Sequence, residues 1–262
     1  MGRGLGSTMI KNAPTLNGRA VFFGLLTIAL VIVALIGNGR AQGAQPELIT
    51  FTSSDLALKG FVWKPEGPGP FPAILWNHGS EKLPGTVGSV APYFVSRGYI
   101  FLVPHRRGQG RSPGPYIMDQ LNAAISLDER SRMLVALKGA SFGGIQTMLA
   151  VERRSGYRVA VNCSGAAQTW RGSPDLRARL TTAASKATIP VFFLQAENDY
   201  DLTPNLVLSE EVRKAGKSME TKTYPAFGSS VQEGHSFCWR GTNIWGPDVL
   251  KFIDANLRPG SR

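Results

Sequence analysis

Short, continuous apolar runs alternate with amphipathic segments along most of this chain, and this alternation constrains the fold more than any other feature. The apolar runs read FPAILWN at 71–77, YIFLVP at 99–104, YRVAVNC at 157–163 and PVFFLQA at 190–196. A strand that is apolar at every position is buried on both faces, which requires a mostly parallel sheet with helices on both sides. The sequence therefore predicts an α/β fold with one central sheet, no second domain and no internal repeat.

The remaining elements follow from the same patterns. Two short β-rich runs, Leu48–Ser53 and Leu56–Lys64, predict an antiparallel pair at one edge of the sheet. Met133–Lys138 and Met219–Tyr224 predict two further strands. Helical periodicity and glycine stop signals predict helices at Ser89–Arg97, Met118–Arg130, Phe142–Arg154, Asp175–Ala187, Asn205–Lys214 and Asp248–Asn256.

The N-terminal 41 residues have the pattern of a targeting segment. Ala20–Ile36 is an uncharged, mostly apolar run that is preceded by basic residues and by no acidic residue. This pattern predicts a signal peptide that is cleaved after the small residues that follow, although the run also reaches the shortest length of a membrane anchor. Both readings place the folded part outside the cytoplasm, periplasmic or secreted, with a linker at 42–47, a domain at 48–262 and membrane association limited to residues 20–36.

Composition excludes several classes of function. The formal net charge is +11, but the basic residues are scattered, without a basic stripe that interleaves aromatic residues, which argues against nucleic-acid binding. The chain has two cysteines and no Cys/His spacing typical of a metal site. Its glycine-rich run at 107–112 fits neither nucleotide-binding fingerprint. We therefore expect no metal and no cofactor.

The strongest chemical signal is GASFGG at 139–144, which fits G-x-S-x-G between a predicted strand and a predicted helix. Small residues on both sides allow the sharp turn that lifts a serine hydroxyl above the sheet. This placement favours Ser141 as a nucleophile over an ordinary helix N-cap. Such a turn projects from a central strand, so Met133–Lys138 is predicted to lie between the strands of 71–77 and 157–163, with the Lys138 ammonium reaching water or a carboxylate.

A nucleophilic serine needs a base, and the base needs an acid. The chain has three histidines: His78 at a strand end, His105 at the start of a glycine-rich loop, and His235 in a predicted loop after the last strand. Three carboxylates follow the strand 190–196, and they rank in the order Asp199, Asp201 and Glu197. Asp199 comes first because Ala196-x-x-Asp199 fits the usual small-x-x-Asp turn. His78-Gly79-Ser80 is a tight turn that can aim the backbone N–H of Ser80 at a reacting carbonyl, with the N–H of Phe142 as a second donor.

These motifs together resemble the α/β-hydrolase superfamily, and within it the dienelactone-hydrolase-like and prolyl-oligopeptidase-like serine hydrolases. The matching segments are NHGS at 77–80, HRRGQGRSPG at 105–114, GASFGG at 139–144, QAENDYDLTP at 195–204 and EGHSF at 233–237. The resemblance implies the α/β-hydrolase fold, an eight-stranded and mostly parallel sheet, and a Ser–His–Asp triad that acts on esters or amides. In this superfamily the base follows the acid in the chain, which selects His235.

The resemblance is incomplete before the fifth strand, where the connection 105–132 is shorter than in most members, so we expect a shortened β5 region. Three functions stay open: an exported carboxylesterase that acts on a small-molecule ester, a catalytically impaired binding protein on the same fold, and a small peptidase of the prolyl-oligopeptidase type. In this fold Cys163 and Cys238 lie near the site, and two buried thiols are favoured over a bridge. Trp239 and Trp245 are expected to pack beneath a loop rather than line the pocket.

Overall fold

The computed structural model describes residues 45–53, 55–81, 87–113, 135–153 and 156–257. Its centre is an eight-stranded sheet with the order β1-β2-β4-β3-β5-β6-β7-β8. The strands are β1 (Glu47–Ser53), β2 (Leu56–Trp63), β3 (Ala73–Asn77), β4 (Ile100–Pro104), β5 (Val135–Ala140), β6 (Tyr157–Cys163), β7 (Val191–Ala196) and β8 (Met219–Tyr224).

The strand directions follow the prediction from the sequence. β1 pairs with β2, and β2 with β4, in antiparallel fashion at one edge, whereas every other pair in the sheet is parallel. The antiparallel edge pair and the mostly parallel sheet are both confirmed. The parallel strands β3, β4 and β7 are buried along almost their whole length, as continuous apolar runs require.

Helices cover both faces of the sheet. They are α1 (Val90–Val95), α2 (Phe142–Val151), α3 (Pro174–Ser185), α4 (Thr203–Lys214), α5 (Val231–Arg240) and α6 (Thr242–Leu257). Phe94, Phe237 and Val249 of α1, α5 and α6 belong to the hydrophobic cluster on one face. Met148 and Leu180 of α2 and α3 belong to the cluster on the other face, which α4 completes. Each face of the sheet thus gains an apolar cover.

β5 lies in the middle of the sheet, between β3 and β6. It pairs with β3 from Val135 to Gly139 and with β6 from Val135 to Ala140. The predicted central position of this strand is confirmed, and the strand ends at Ala140, two residues beyond the predicted end. The predicted helix Met118–Arg130 and residues 114–134 of the connection that precedes β5 lie outside the described residues.

Two helices near the C-terminus differ from the prediction. Residues 231–240 form α5, so the prediction of a loop around His235 was wrong. A capping box starts this helix: Ser230 Oγ accepts the Glu233 N–H at 3.2 Å, and the Glu233 carboxylate accepts the Ser230 N–H at 3.2 Å. The S-x-x-E pattern at 230–233 was the available signal. α6 begins six residues before the predicted start at Asp248, because buried Trp245 anchors its first turns against the core.

Lys138 does not reach water or a carboxylate, contrary to the prediction. Its side chain is fully buried, and its ammonium lies 4.3 Å from the Trp76 ring centre and 4.1 Å from that of Trp245. Within the described part of the chain Lys138 Nζ has no hydrogen-bond partner. Two ring faces stabilise a cation by about 2 kcal/mol or more, whereas burying an ion costs several kcal/mol. Desolvation therefore wins, and burial holds the pKa of Lys138 well below its ordinary value.

Replacing Lys138 with methionine is expected to raise the free energy of unfolding at pH 7 by about 1–4 kcal/mol, or roughly 2–4 °C in Tm per kcal/mol. The unfolded lysine has a pKa near 10.4, above the folded value, so the unfolded state binds more protons at neutral pH. Wild-type stability therefore rises relative to the variant as pH rises, and the gain in Tm should shrink between pH 7 and pH 10. Calorimetry at both pH values measures it. Lys251→Met, at an exposed site on α6, is the control; an equal gain at both pH values would contradict the interpretation.

The predicted targeting segment, residues 1–41, lies outside the described residues. Within the part of the chain that the structure covers, no helix has the length and apolar character needed to cross a membrane.

Candidate active site

Ser141 occupies a strained turn between β5 and α2. Its backbone has φ 54° and ψ −119°, a conformation that costs a non-glycine residue about 1–3 kcal/mol. Two hydrogen bonds hold the turn: the Ser141 N–H donates to the Cys163 carbonyl at 3.0 Å, and the Gly144 N–H donates to the Ser141 carbonyl at 2.9 Å. The strain is thus imposed by the end of β6 and the first turn of α2.

The glycines around Ser141 are required by close backbone approaches. A Cβ on Gly143 would lie 1.8 Å from the Asn77 carbonyl oxygen, and one on Gly139 would lie 2.1 Å from the Gly143 carbonyl oxygen. Real Cβ atoms do not approach other atoms so closely, so a side chain at either position would push α2 away from the ends of β3 and β5. The G-x-S-x-G spacing is therefore explained by the packing of the turn itself.

Three of the residues singled out in the sequence lie in one chain of hydrogen bonds. Ser141 Oγ is 2.9 Å from His235 Nε2, and His235 Nδ1 is 2.8 Å from Asp199 Oδ1. A carboxylate only accepts hydrogen bonds, so Nδ1 carries the proton and Nε2 accepts the serine hydroxyl. His235 and Asp199 are both buried, whereas Ser141 is partly exposed. This arrangement can remove a proton from a serine hydroxyl that substrate can reach.

Two aromatic rings pack edge-to-face against the imidazole of His235. Tyr200 lies edge-to-face at 5.3 Å between ring centres, and Trp239 lies edge-to-face at 5.9 Å. The Asp199 carboxylate is oriented in turn by the Tyr200 N–H, which donates to Oδ1 at 2.7 Å. The ring can therefore turn little from the position that faces Ser141.

The two competing carboxylates are engaged elsewhere or exposed. Asp201 accepts the Thr203 N–H at 2.9 Å and the Arg171 Nε–H at 3.0 Å. Burial raises the pKa of Asp201, but the hydrogen bonds from Thr203 and the charge of Arg171 outweigh burial and lower it. Glu197 is exposed to solvent. Of the three carboxylates, Asp199 is the one that contacts His235.

The other two histidines take no part in the hydrogen-bonded series of Ser141, His235 and Asp199. His78 is fully buried, and burial together with the charge of Arg106 lowers its pKa to about 2, so it is neutral. Its Nδ1 lies 3.0 Å from the Gly79 carbonyl oxygen. His105 accepts the Arg111 N–H at its own Nδ1, at 3.2 Å. Each of these two rings therefore contacts the backbone of its own loop.

Arg106, which the sequence did not single out, orients the His78-Gly79-Ser80 turn. Its buried guanidinium donates to the His78 carbonyl at 2.8 Å, to the Gly79 carbonyl, and to Gln146 Oε1 at 2.9 Å. The Gly79 carbonyl and the Ser80 N–H belong to one planar trans peptide and point in opposite directions. Arg106 thus turns the Ser80 N–H away from itself. A basic residue in a loop carries no sequence pattern that separates this role from a solvated one.

Known proteins of similar structure can be compared with this geometry. No family profile and no curated protein matches the sequence. The structure is similar to Pyrococcus horikoshii acylaminoacyl peptidase, with a TM-score of 0.68 and 17% identity over 87% of this chain and 44% of that one. It is also similar to Pyrococcus furiosus esterase Pf2001, with a TM-score of 0.66 and 13% identity over 82% of this chain and 92% of that one. A third similar structure is Est1E from Butyrivibrio proteoclasticus with bound ferulic acid, with a TM-score of 0.63 and 16% identity over 79% and 98%.

This chain has the α/β-hydrolase fold. The sheet order, with β5 central and the Ser141 turn at its end, agrees with the expectation drawn from the resemblance. The chain spans less than half the length of the acylaminoacyl peptidase that it matches.

Beside the Ser141 turn of this α/β-hydrolase fold lies a cleft of about 190 Å³. Its lining among the described residues is Trp76, Gly79, Glu81, Val87, Ala140 and Trp239. The expectation that Trp239 only packs beneath a loop was therefore wrong, because α5 turns this side chain toward the cleft. Trp245 is fully buried, as expected. In the described ranges no group of three His, Cys, Asp or Glu side chains is arranged to hold a metal.

Cys163 and Cys238 form a disulfide, so the expectation of two buried thiols was wrong. Their Cα atoms are 5.7 Å apart, within the usual range for a bridge. The reason is again α5: a helix places Cys238 one turn beyond His235, directly over the end of β6. The predicted loop around His235 gave no reason to expect Cys238 to lie next to Cys163.

Proposed function

We propose that this protein is a serine hydrolase that cleaves small carboxylic esters. The observation that carries the proposal is the hydrogen-bonded series Ser141–His235–Asp199 on a strained turn. The conformation of Ser141 and the tautomer set by Asp199 suit a nucleophile and a general base.

In the proposed mechanism, His235 Nε2 takes the proton from Ser141 Oγ as the oxygen attacks the ester carbonyl carbon. The resulting oxyanion accepts hydrogen bonds from the backbone N–H groups of Ser80 and Phe142. Phe142 is the first residue of α2, and the positive end of a helix dipole favours negative charge. His235 then gives its proton to the leaving alcohol, and water, deprotonated by the same histidine, releases the acid from Ser141.

Ester substrates are favoured by two similar structures, esterase Pf2001, matched over 92% of its length, and Est1E with bound ferulic acid, matched over 98%. A peptidase is the second candidate, because acylaminoacyl peptidase is a structural neighbour. A catalytically impaired binding protein has weaker support, since the geometry between Ser141 and His235 is intact despite the short connection before β5.

A panel of p-nitrophenyl esters assayed beside aminoacyl-proline anilides tests this proposal. We expect measurable kcat/KM on the esters and little or none on the anilides. Higher kcat/KM on the anilides would assign the peptidase. No turnover of either, together with no labelling by a fluorophosphonate probe, would favour the binding protein.

The proposed location is outside the cytoplasm, with residues 1–41 removed. The basic leader and apolar run support it, and so does the disulfide, because disulfides persist in oxidising compartments. Mass spectrometry of protein recovered from the exported fraction should show an N-terminus between Gln42 and Gln45. An intact N-terminus in a membrane pellet would instead establish an anchor.

A further inference from the structure

We propose that the Cys163–Cys238 disulfide is a positioning element of the active site, which holds the helix carrying His235 against the strand that supports Ser141. The proposal rests on the serine-hydrolase function proposed above, and it concerns how the base keeps its distance from the nucleophile.

The first half of this connection is the contact between Cys163 and the nucleophile turn. Cys163 is the last residue of β6 and pairs with Ala140 of β5. Its carbonyl accepts the Ser141 N–H at 3.0 Å, so it is one of the groups that impose the backbone conformation of the serine. A shift of Cys163 would therefore also shift the turn that carries Ser141.

The second half is the spacing within α5. Cys238 follows His235 by three residues, and residues three apart lie on the same face of a helix. Both side chains face inward and are buried. The disulfide therefore joins Ser141 to His235 through one backbone hydrogen bond, one S–S bond and one helical turn.

The N-terminal end of α5 is held separately, against the turn that carries Asp199. The Asn198 amide donates to the Ser230 carbonyl at 3.0 Å and accepts the Phe227 N–H at 2.9 Å. Gly234 packs so closely on the Asn198 carbonyl that a Cβ there would lie 2.5 Å from it. These contacts fix the Asp199–His235 distance, whereas the disulfide fixes the Ser141–His235 distance.

The burial of the disulfide indicates that it is a permanent structural restraint and not a redox switch. Both cysteines are fully inaccessible to solvent, so a reductant does not reach the sulfur atoms in the folded protein. The bridge therefore acts as a constant restraint.

The Cys163→Ala/Cys238→Ala variant tests the proposal. A base displaced by about 1 Å costs roughly 100-fold in rate. We expect kcat for ester hydrolysis and the rate of fluorophosphonate labelling to fall together by about 10- to 100-fold, with KM within about threefold. The downfield proton resonance of His235 Nδ1–H should persist, because the contact with Asp199 is held by Asn198. All assays are run far below the Tm of each variant.

Two further variants separate positioning from stability. Leu180→Ala removes a fully buried side chain on the opposite face of the sheet, and it should lower Tm while leaving kcat within twofold. Cys163→Val/Cys238→Ala refills the lost volume without the bond, and it keeps the test available if the double alanine variant does not fold. It should recover stability but not kcat.

Full kcat in either folded double variant overturns the proposal. So does a loss of the His235 Nδ1–H resonance, which would mean that the bridge supports the whole site rather than the Ser141–His235 distance. An inactive, unlabelled wild-type protein would overturn the serine-hydrolase function itself, whereas an active wild type with unaffected double variants would remove the positioning role alone.

Discussion

Ser141→Ala is expected to lower kcat for ester hydrolysis by about 10⁵–10⁶-fold, leaving the residual rate that the oxyanion donors and substrate binding provide. The hydroxyl is the group that would form the bond to the acyl group. Among the described residues, Ser141 carries the hydroxyl that lies beside His235 Nε2. Labelling by a fluorophosphonate probe should disappear with turnover. Steady-state kinetics on a p-nitrophenyl ester and a gel-based labelling assay measure both effects.

The same variant should fold as well as the wild type. Alanine keeps the Cβ and the positive φ of the turn, and the backbone hydrogen bonds to the Cys163 carbonyl and from the Gly144 N–H remain. Ser236→Ala is a matched control, because Ser236 follows His235 directly and its hydroxyl donates to the Glu233 carbonyl at 2.7 Å. Full activity in the control with none in Ser141→Ala assigns the nucleophile; retained turnover in Ser141→Ala would remove this residue from the mechanism.

Asp199→Asn is expected to lower kcat by about 10⁴-fold with a small change in KM. An asparagine can present its NH₂ group to His235 Nδ1, which makes Nδ1 the acceptor and puts the proton on Nε2. A protonated Nε2 cannot take the proton of Ser141. The measurement is kcat and KM on one ester over a range of pH.

Asp201→Asn is the matched control, two residues away and bonded to Thr203 and Arg171 instead of His235. It should keep kcat within a few-fold and lower the free energy of unfolding by about 1 kcal/mol, since it weakens the start of α4 and the ion pair between buried Asp201 and exposed Arg171. If Asp201→Asn proved the more damaging for kcat, the acid would have been placed on the wrong residue of the ENDYD segment.

The fold was largely predictable because its strands are continuous apolar runs. A strand with the sequence FPAILWN or PVFFLQA has apolar residues on both faces, so neither face can be exposed to solvent. The G-x-S-x-G motif between strand and helix placed Ser141 at the end of a central strand. The small-x-x-Asp turn ranked Asp199 above its neighbours, and the structure places Asp199 rather than Asp201 against His235. In each case the signal is local, since a few adjacent residues determine backbone conformation or burial.

Three of the errors have a common cause in α5. The sequence around His235 was interpreted as a loop, although Ser230 and Glu233 form a capping box. Once the segment is a helix, Cys238 lies one turn from His235 and reaches Cys163, and Trp239 turns toward the cleft. One missed helix therefore produced three wrong expectations.

The sequence by itself determined the mostly parallel sheet with its antiparallel edge, the turn at Ser141 and the ranking of Asp199, because each depends on patterns that are contiguous in the chain. The choice of His235 came from the chain order of the superfamily that the motifs resemble. The tertiary structure alone decided the partners of isolated side chains. Arg106 binds carbonyls of residues 78 and 79, Lys138 lies between rings from β3 and α6, and Cys163 bonds to a residue 75 positions away. Such partners come from distant parts of the chain, and which of them meet is set by the packing of helices on the sheet, which leaves no local trace in the sequence.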